Sequence, residues 1–147
     1  MKTLCLILTI VGTQVALGEM KFPNSVHELE NLAKATEQAK ASNKPLAFIV
    51  SNKATSCGIC IAATQTAIRE LKSKTELVYV KSGSSAMPES VKTGMRQANG
   101  KYMPTVVVTD ATASSVIASF GYSNDAGFKK SIDEAEKKIR AAKATAK

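Results

Sequence analysis

Apolar residues recur along this chain in two rhythms. Four short stretches are continuously or alternately apolar: "PLAFIVSN" with Leu46 to Val50 unbroken, "ELVYVKS", "PTVVVTD" and "SSVIASFGY". Runs of this length, rich in β-branched and aromatic residues, predict strands, and an unbroken run predicts one buried on both faces. Between and around them the spacing is helical. In "NSVHELENLAKATEQAKASNKP", Val26, Leu29, Leu32, Ala33, Thr36 and Ala39 form a stripe, Ser25 and Glu28 have the spacing of a capping box, and Asn43 and Pro45 end the helix. A second helical pattern runs from Cys57 to about Lys72 with Ile61, Ile68 and Leu71 on one side. A short third one has Pro88 at its first position and Val91, Met95 and Ala98 on its apolar face, and stops at Asn99-Gly100. Phe128, Ile132, Ala135 and Ile139 mark a final amphipathic helix. The order α-β-α-β-α-β-β-α predicts an α/β fold with a central sheet of about four strands flanked by helices. Helices between the earlier strands imply parallel crossovers. The polar link "DATAS" implies a closing antiparallel hairpin, so the sheet is expected to be mixed.

The first residues follow a different pattern. Lys2, the apolar run Leu4 to Val11, and Ala16 and Gly18 at small-residue positions read as a signal peptide over residues 1–18. The run is too short for a membrane span of about 20 residues. This predicts a periplasmic or secreted protein made of one domain, residues 19–147, with Cys5 leaving in the leader. The net charge of +8, one unit lower without Lys2, comes from lysines scattered along helices and the C-terminal tail. With no basic run and little aromatic interleaving, it points to a solvated surface and not to nucleic acid. A domain of this length buries a core without staples, so the two remaining cysteines are not needed for stability.

Those cysteines, Cys57 and Cys60, lie in "KATSCGIC", where the first strand gives way to a helix. A closed zinc site needs four ligands, and only these two thiols and the single His27 are on offer from Cys and His, so no metal is expected there. A two-thiolate copper(I) carrier stays open because soft ligands favour that ion; Met87, Met95 and Met103 are extra sulfur on that reading and packing residues otherwise. A purely structural bridge closes a tiny loop and adds little stability. A redox-inactive binding module is a further alternative. Dithiol–disulfide exchange makes the most of the placement. A cysteine at a helix start faces unpaired N–H groups and the positive end of the dipole, both of which favour thiolate. Cys57 is placed to be the nucleophile and Cys60, one turn on, the resolving thiol. Gly58 admits close backbone approach, and Ile59 adds an apolar rim.

Together these stretches resemble the thioredoxin superfamily over nearly all of the chain after the leader, from about residue 26 to 142. "PLAFIVSNKATSCGIC" is similar to the thioredoxin strand, loop and active-site helix start. "YMPTVVV" is similar to the family's cis-proline segment, with Pro104 44 positions after Cys60, and "SFGYSNDAGFKKSIDEA" to its closing strand and helix. The resemblance implies a thioredoxin-like fold and a cis Met103–Pro104 bond facing the cysteine pair. It also implies that the Met103 backbone pairs with an extended substrate. The expected substrates are protein or peptide disulfides or dithiols; no cofactor and a monomeric protein are expected, and a reducing direction would call for a membrane electron donor to recharge it. Departures are specific. Ser56 stands where thioredoxins usually carry Trp, Ser51 where they often bury a carboxylate, and Gly-Ile replaces Gly-Pro. Lys53 is either a solvated loop residue or a modulator of proton transfer. An uncharged dipeptide does not favour a strong oxidant, so the expected direction is reduction or shuffling.

Overall fold

The computed structural model describes residues 19–145. Residues 1–18, expected to be a signal peptide, fall outside the described residues, and Cys5 with them. The core is a five-stranded mixed sheet with helices on both faces. In chain order the elements are β1 (Val26–Glu28), a 3-10 turn (Leu29–Asn31), α1 (Leu32–Ser42), β2 (Leu46–Ser51), α2 (Gly58–Leu71), β3 (Glu76–Lys81), α3 (Glu89–Gln97), β4 (Tyr102–Thr109), β5 (Val116–Tyr122) and α4 (Asp125–Thr145). The strand order is β1-β3-β2-β4-β5, so β2 is central.

The unbroken apolar run of β2 is buried at every position, as its composition requires of a strand covered on both sides. On one side Ala47, Ile49, Val106 and Phe120 pack with Ala67 and Leu71 of α2 and with Phe128, Ile132, Ala135 and Ile139 of α4. On the other, Leu46, Phe48, Val78, Val80 and Val107 meet Ala35 and Ala39 of α1 and Val91 of α3. Asn43 ends α1 in the left-handed conformation at φ 50°, and the Lys44 N–H bonds back to the Ala39 carbonyl at 2.9 Å.

Three expectations are corrected. The sheet has five strands, not about four, because Val26–Glu28 pairs in parallel with Leu77–Tyr79. The helix expected from Ser25 begins at Leu32, and the Ser25–Glu28 capping box does not form. Glu28 makes no capping bond and its carboxylate holds Lys53 instead. The buried stripe shifts with it, to Ala35 and Ala39, leaving Ala33 exposed. Finally, β3 lies parallel to β2 but β4 lies antiparallel to it, so the link through α3 is not a parallel crossover. Nine residues of helix span about 13 Å, less than the roughly 20 Å of a six-residue strand. α3 packs on β4 and β5 instead of retracing β3. Gly94 makes this close seating possible: a Cβ there would lie 2.4 Å from Val107 Cγ1. The β4–β5 hairpin is antiparallel as expected.

Candidate functional site

The site lies where central β2 ends. Ser51 is its last residue, and the loop that follows is tied to itself before the helix starts. Asn52 Oδ1 accepts from the Ala54 N–H at 3.0 Å, and Thr55 Oγ1 accepts from the Cys57 N–H at 3.2 Å. Cys57 is the N-cap of α2, with extended backbone (φ −73°, ψ 101°). Its Sγ occupies the place of the usual capping oxygen and accepts from the Cys60 N–H at 3.2 Å. Cys57 and Cys60 are joined as a disulfide, with their Cα atoms 5.2 Å apart. Their surroundings differ. Cys57 is half-buried, whereas Cys60 is only 9% exposed and faces the core. An incoming group therefore meets Cys57 first. Gly58 is exposed and carries no side chain to obstruct that approach.

Beneath the disulfide the polar groups are all paired. Ser51 and Thr64 are both fully buried, their hydroxyls 3.0 Å apart, and the Thr64 hydroxyl donates to the Cys60 carbonyl at 2.7 Å. The Tyr79 hydroxyl donates to the Ser51 carbonyl and accepts from the Lys53 N–H, each at 3.2 Å. Burial raises the Tyr79 pKa above 10.0, against the opposing pull of the Lys53 N–H and the Lys53 charge. Lys53 is neither a solvated loop residue nor directed at the cysteines. Its ammonium pairs with Glu28 and sits 4.7 Å from the Tyr79 ring centre and 5.1 Å from that of Phe22.

The Met103–Pro104 bond is cis. The β2–β4 register runs from Leu46↔Thr109 to Val50↔Thr105, so its next step sets Pro104 beside Ser51, at the strand end from which the cysteine loop departs. Pro104 is buried and Met103 half-buried. Below this segment Gly100 and Gly121 touch backbone to backbone: a Cβ on Gly100 would lie 2.5 Å from Gly121 Cα. The large hydrophobic side chains most exposed among the described residues are Ile59, at 58%, and Tyr102, at 55%. One lies between the cysteines and the other is two residues before Pro104.

The remaining sulfur and imidazole go elsewhere. Met87 is buried against Val91 and its neighbours on the α1/α3 face, and Met95 packs on the same cluster. His27 is in β1, with β3 between it and β2. Among the described residues no three His, Cys, Asp or Glu side chains gather in a metal-binding group, and no helix is long and apolar enough to cross a membrane. The sequence reading did not single out Tyr102 or Thr64. Thr64 had a signal, a hydroxyl set in the apolar stripe of a helix one turn beyond Cys60. Comparison with family models finds no match, and comparison with curated proteins finds none either.

Proposed function

We propose that this protein is an exported thiol–disulfide oxidoreductase with a thioredoxin-like fold, working in the periplasm or outside the cell. One observation carries the reading: a half-buried cysteine caps a helix, its sulfur accepts the Cys60 N–H, and it is bonded to a buried partner one turn on. In the dithiol form the same N–H groups favour the Cys57 thiolate. That thiolate attacks one sulfur of a substrate disulfide, forming a mixed disulfide and releasing the other substrate sulfur as a thiolate that takes a proton from water. Cys60, after losing its own proton to solvent, attacks the Cys57 sulfur. The Cys57–Cys60 bond forms, the second substrate sulfur leaves, and two electrons have passed from the protein pair to the substrate. An external dithiol donor, such as a membrane electron carrier, returns the pair to the reduced state.

The substrate is an extended protein or peptide segment. Gly58 leaves room for it, Ile59 and Met103 flank it, and the Met103 backbone beside Pro104 pairs with it. The uncharged Gly-Ile dipeptide and the commitment of Lys53 to Glu28 leave no cation beside Cys57 from these residues, which supports a reducing or isomerising direction over strong oxidation. The test is insulin reduction by residues 19–147 with dithiothreitol as donor. The wild-type domain accelerates the reaction, and Cys57→Ser falls to the uncatalysed rate. Equal rates for both proteins would overturn the proposal and leave a binding module or a copper(I) carrier in its place.

A further inference from the structure

The row of hydrogen bonds under the disulfide has a direction. A hydroxyl has one proton to give. Thr64 gives its proton to the Cys60 carbonyl at 2.7 Å, so across the 3.0 Å contact Ser51 is the donor and Thr64 the acceptor. The peptide group whose carbonyl receives Thr64 carries the Ile61 N–H, which donates to the Cys57 carbonyl at 3.0 Å. The row thus runs from Ser51 through Thr64 and the 60–61 peptide to Cys57, and each bond polarises the next. Its origin is fixed. The Ser51 carbonyl accepts from the Tyr79 hydroxyl at 3.2 Å and from the Ser82 N–H at 2.9 Å, in the middle strand of the sheet. Both hydroxyls are fully buried, so water does not compete for them.

We infer that the Ser51–Thr64 hydroxyl pair is a positioning device that holds Cys57 and Cys60 at closing distance when the bond between them is absent. Its functional meaning rests on the exchange reaction above, but its effect on the cysteine pair does not. Reduction removes the covalent link, and the first turn of a helix, with few internal bonds of its own, is the turn most prone to fray. No member of the row is a sulfur, so the row persists in the dithiol. By anchoring that turn to β2 it keeps the effective concentration of one sulfur at the other high, which favours ring closure. Without it the disulfide forms less readily and the pair is easier to reduce.

The experiment equilibrates each protein with mixtures of reduced and oxidised glutathione and reads the fraction of Cys57–Cys60 disulfide after acid quenching. Oxidised glutathione takes two electrons from the dithiol and leaves as two thiols, so the constant compares ring closure directly. Thr64→Val keeps the side-chain shape and removes the hydroxyl; the constant shifts about tenfold towards dithiol. Thr64→Ser restores the donor and stays within about twofold of wild type. Ser51→Ala cuts the row at its anchor and shifts the same way. The double variant Ser51→Ala/Thr64→Val leaves no buried hydroxyl unpaired, so it is the control for misfolding: it regains thermal stability over Thr64→Val but keeps the shifted constant. A constant within twofold of wild type in the double variant, whatever its thermal stability, means that the pair serves packing alone and overturns the inference. Shifted constants in a protein that fails to reduce insulin would remove the oxidoreductase reading and leave the positioning role standing.

Discussion

Replacing Gly94 by Ala sets two known effects against each other. Glycine inside a helix costs about 1 kcal/mol relative to alanine, so on an open helix face the change would stabilise. Here α3 lies against β4, and the new Cβ would sit 2.4 Å from Val107 Cγ1 and 3.1 Å from Cγ2. Comfortable carbon–carbon contact is about 3.5–4.0 Å, so the nearer overlap exceeds an ångström. Val107 is fully buried and β-branched, and rotating its stiff χ1 does not clear both methyls. The helix must lift from the sheet, at the overpacking cost of about 1–3 kcal/mol. The larger cost wins, and Gly94→Ala lowers stability by about 1–2 kcal/mol at the upper end of that range. At roughly 4 °C per kcal/mol for a domain of this size, the melting temperature falls measurably. Urea unfolding checks the magnitude, and a double-mutant cycle with Val107→Ala checks the cause. With the two methyls gone, Gly94→Ala becomes stabilising by up to about 1 kcal/mol, giving a coupling of about 2–3 kcal/mol. A stabilising effect of Gly94→Ala alone, or additive variants, would refute the close seating of α3. α3 leads through Gly100 into the Tyr102–Pro104 segment, so its seating also bears on the proposed substrate contact there.

The β4–β5 turn supplies two more predictions. Ala113 has φ 56°, a left-handed conformation that costs a residue with a Cβ about 1–2 kcal/mol. Ala113→Gly therefore raises stability by about 0.5 kcal/mol after the entropy cost of glycine, and a lowered urea midpoint would contradict this. Burial tends to raise the Asp110 pKa, but hydrogen bonds from the Ser114 N–H, the Thr112 hydroxyl and N–H, and the Ser115 N–H prevail and hold it below 3.8. A carboxyl with a lowered folded pKa stabilises above its unfolded value and loses that contribution as pH falls through the folded one. Asp110→Asn thus costs about 1 kcal/mol at pH 7, and urea midpoints of the two proteins converge below about pH 4. A constant gap between pH 7 and pH 3 would show that charge is not involved.

What the sequence disclosed follows from what its local pattern encodes. Leu46 to Val50 reads as a doubly buried strand because five apolar residues in a row have few other homes, and Phe128, Ile132, Ala135 and Ile139 all reach the core because helical spacing puts them on one face. The position of Cys57 at a helix start was legible from the change of rhythm around it. Val26–Glu28 was not, since three residues carry no period and their extended form depends on pairing with β3, a contact 51 residues away in sequence. The same segment fits a capping box locally, but the Lys53 ammonium claims the Glu28 carboxylate. The direction of β4 was hidden because it depends on where a short helix packs, and that rests on a missing Cβ at Gly94. Ser51 was noticed for what it lacks, a carboxylate. Its pairing with Thr64 emerges only when strand and helix are brought together.

The proposed function requires Cys57, and not Cys60, to be the activated and reachable sulfur. Alkylation of the reduced protein by iodoacetamide, followed against pH with the labelled cysteine assigned by mass spectrometry, tests it directly. Label is expected on Cys57 alone in the folded protein, with a rate that titrates below the ordinary thiol value of about 8.5. Label appearing equally fast on Cys60, or a Cys57 rate that rises only at or above that value, would contradict it.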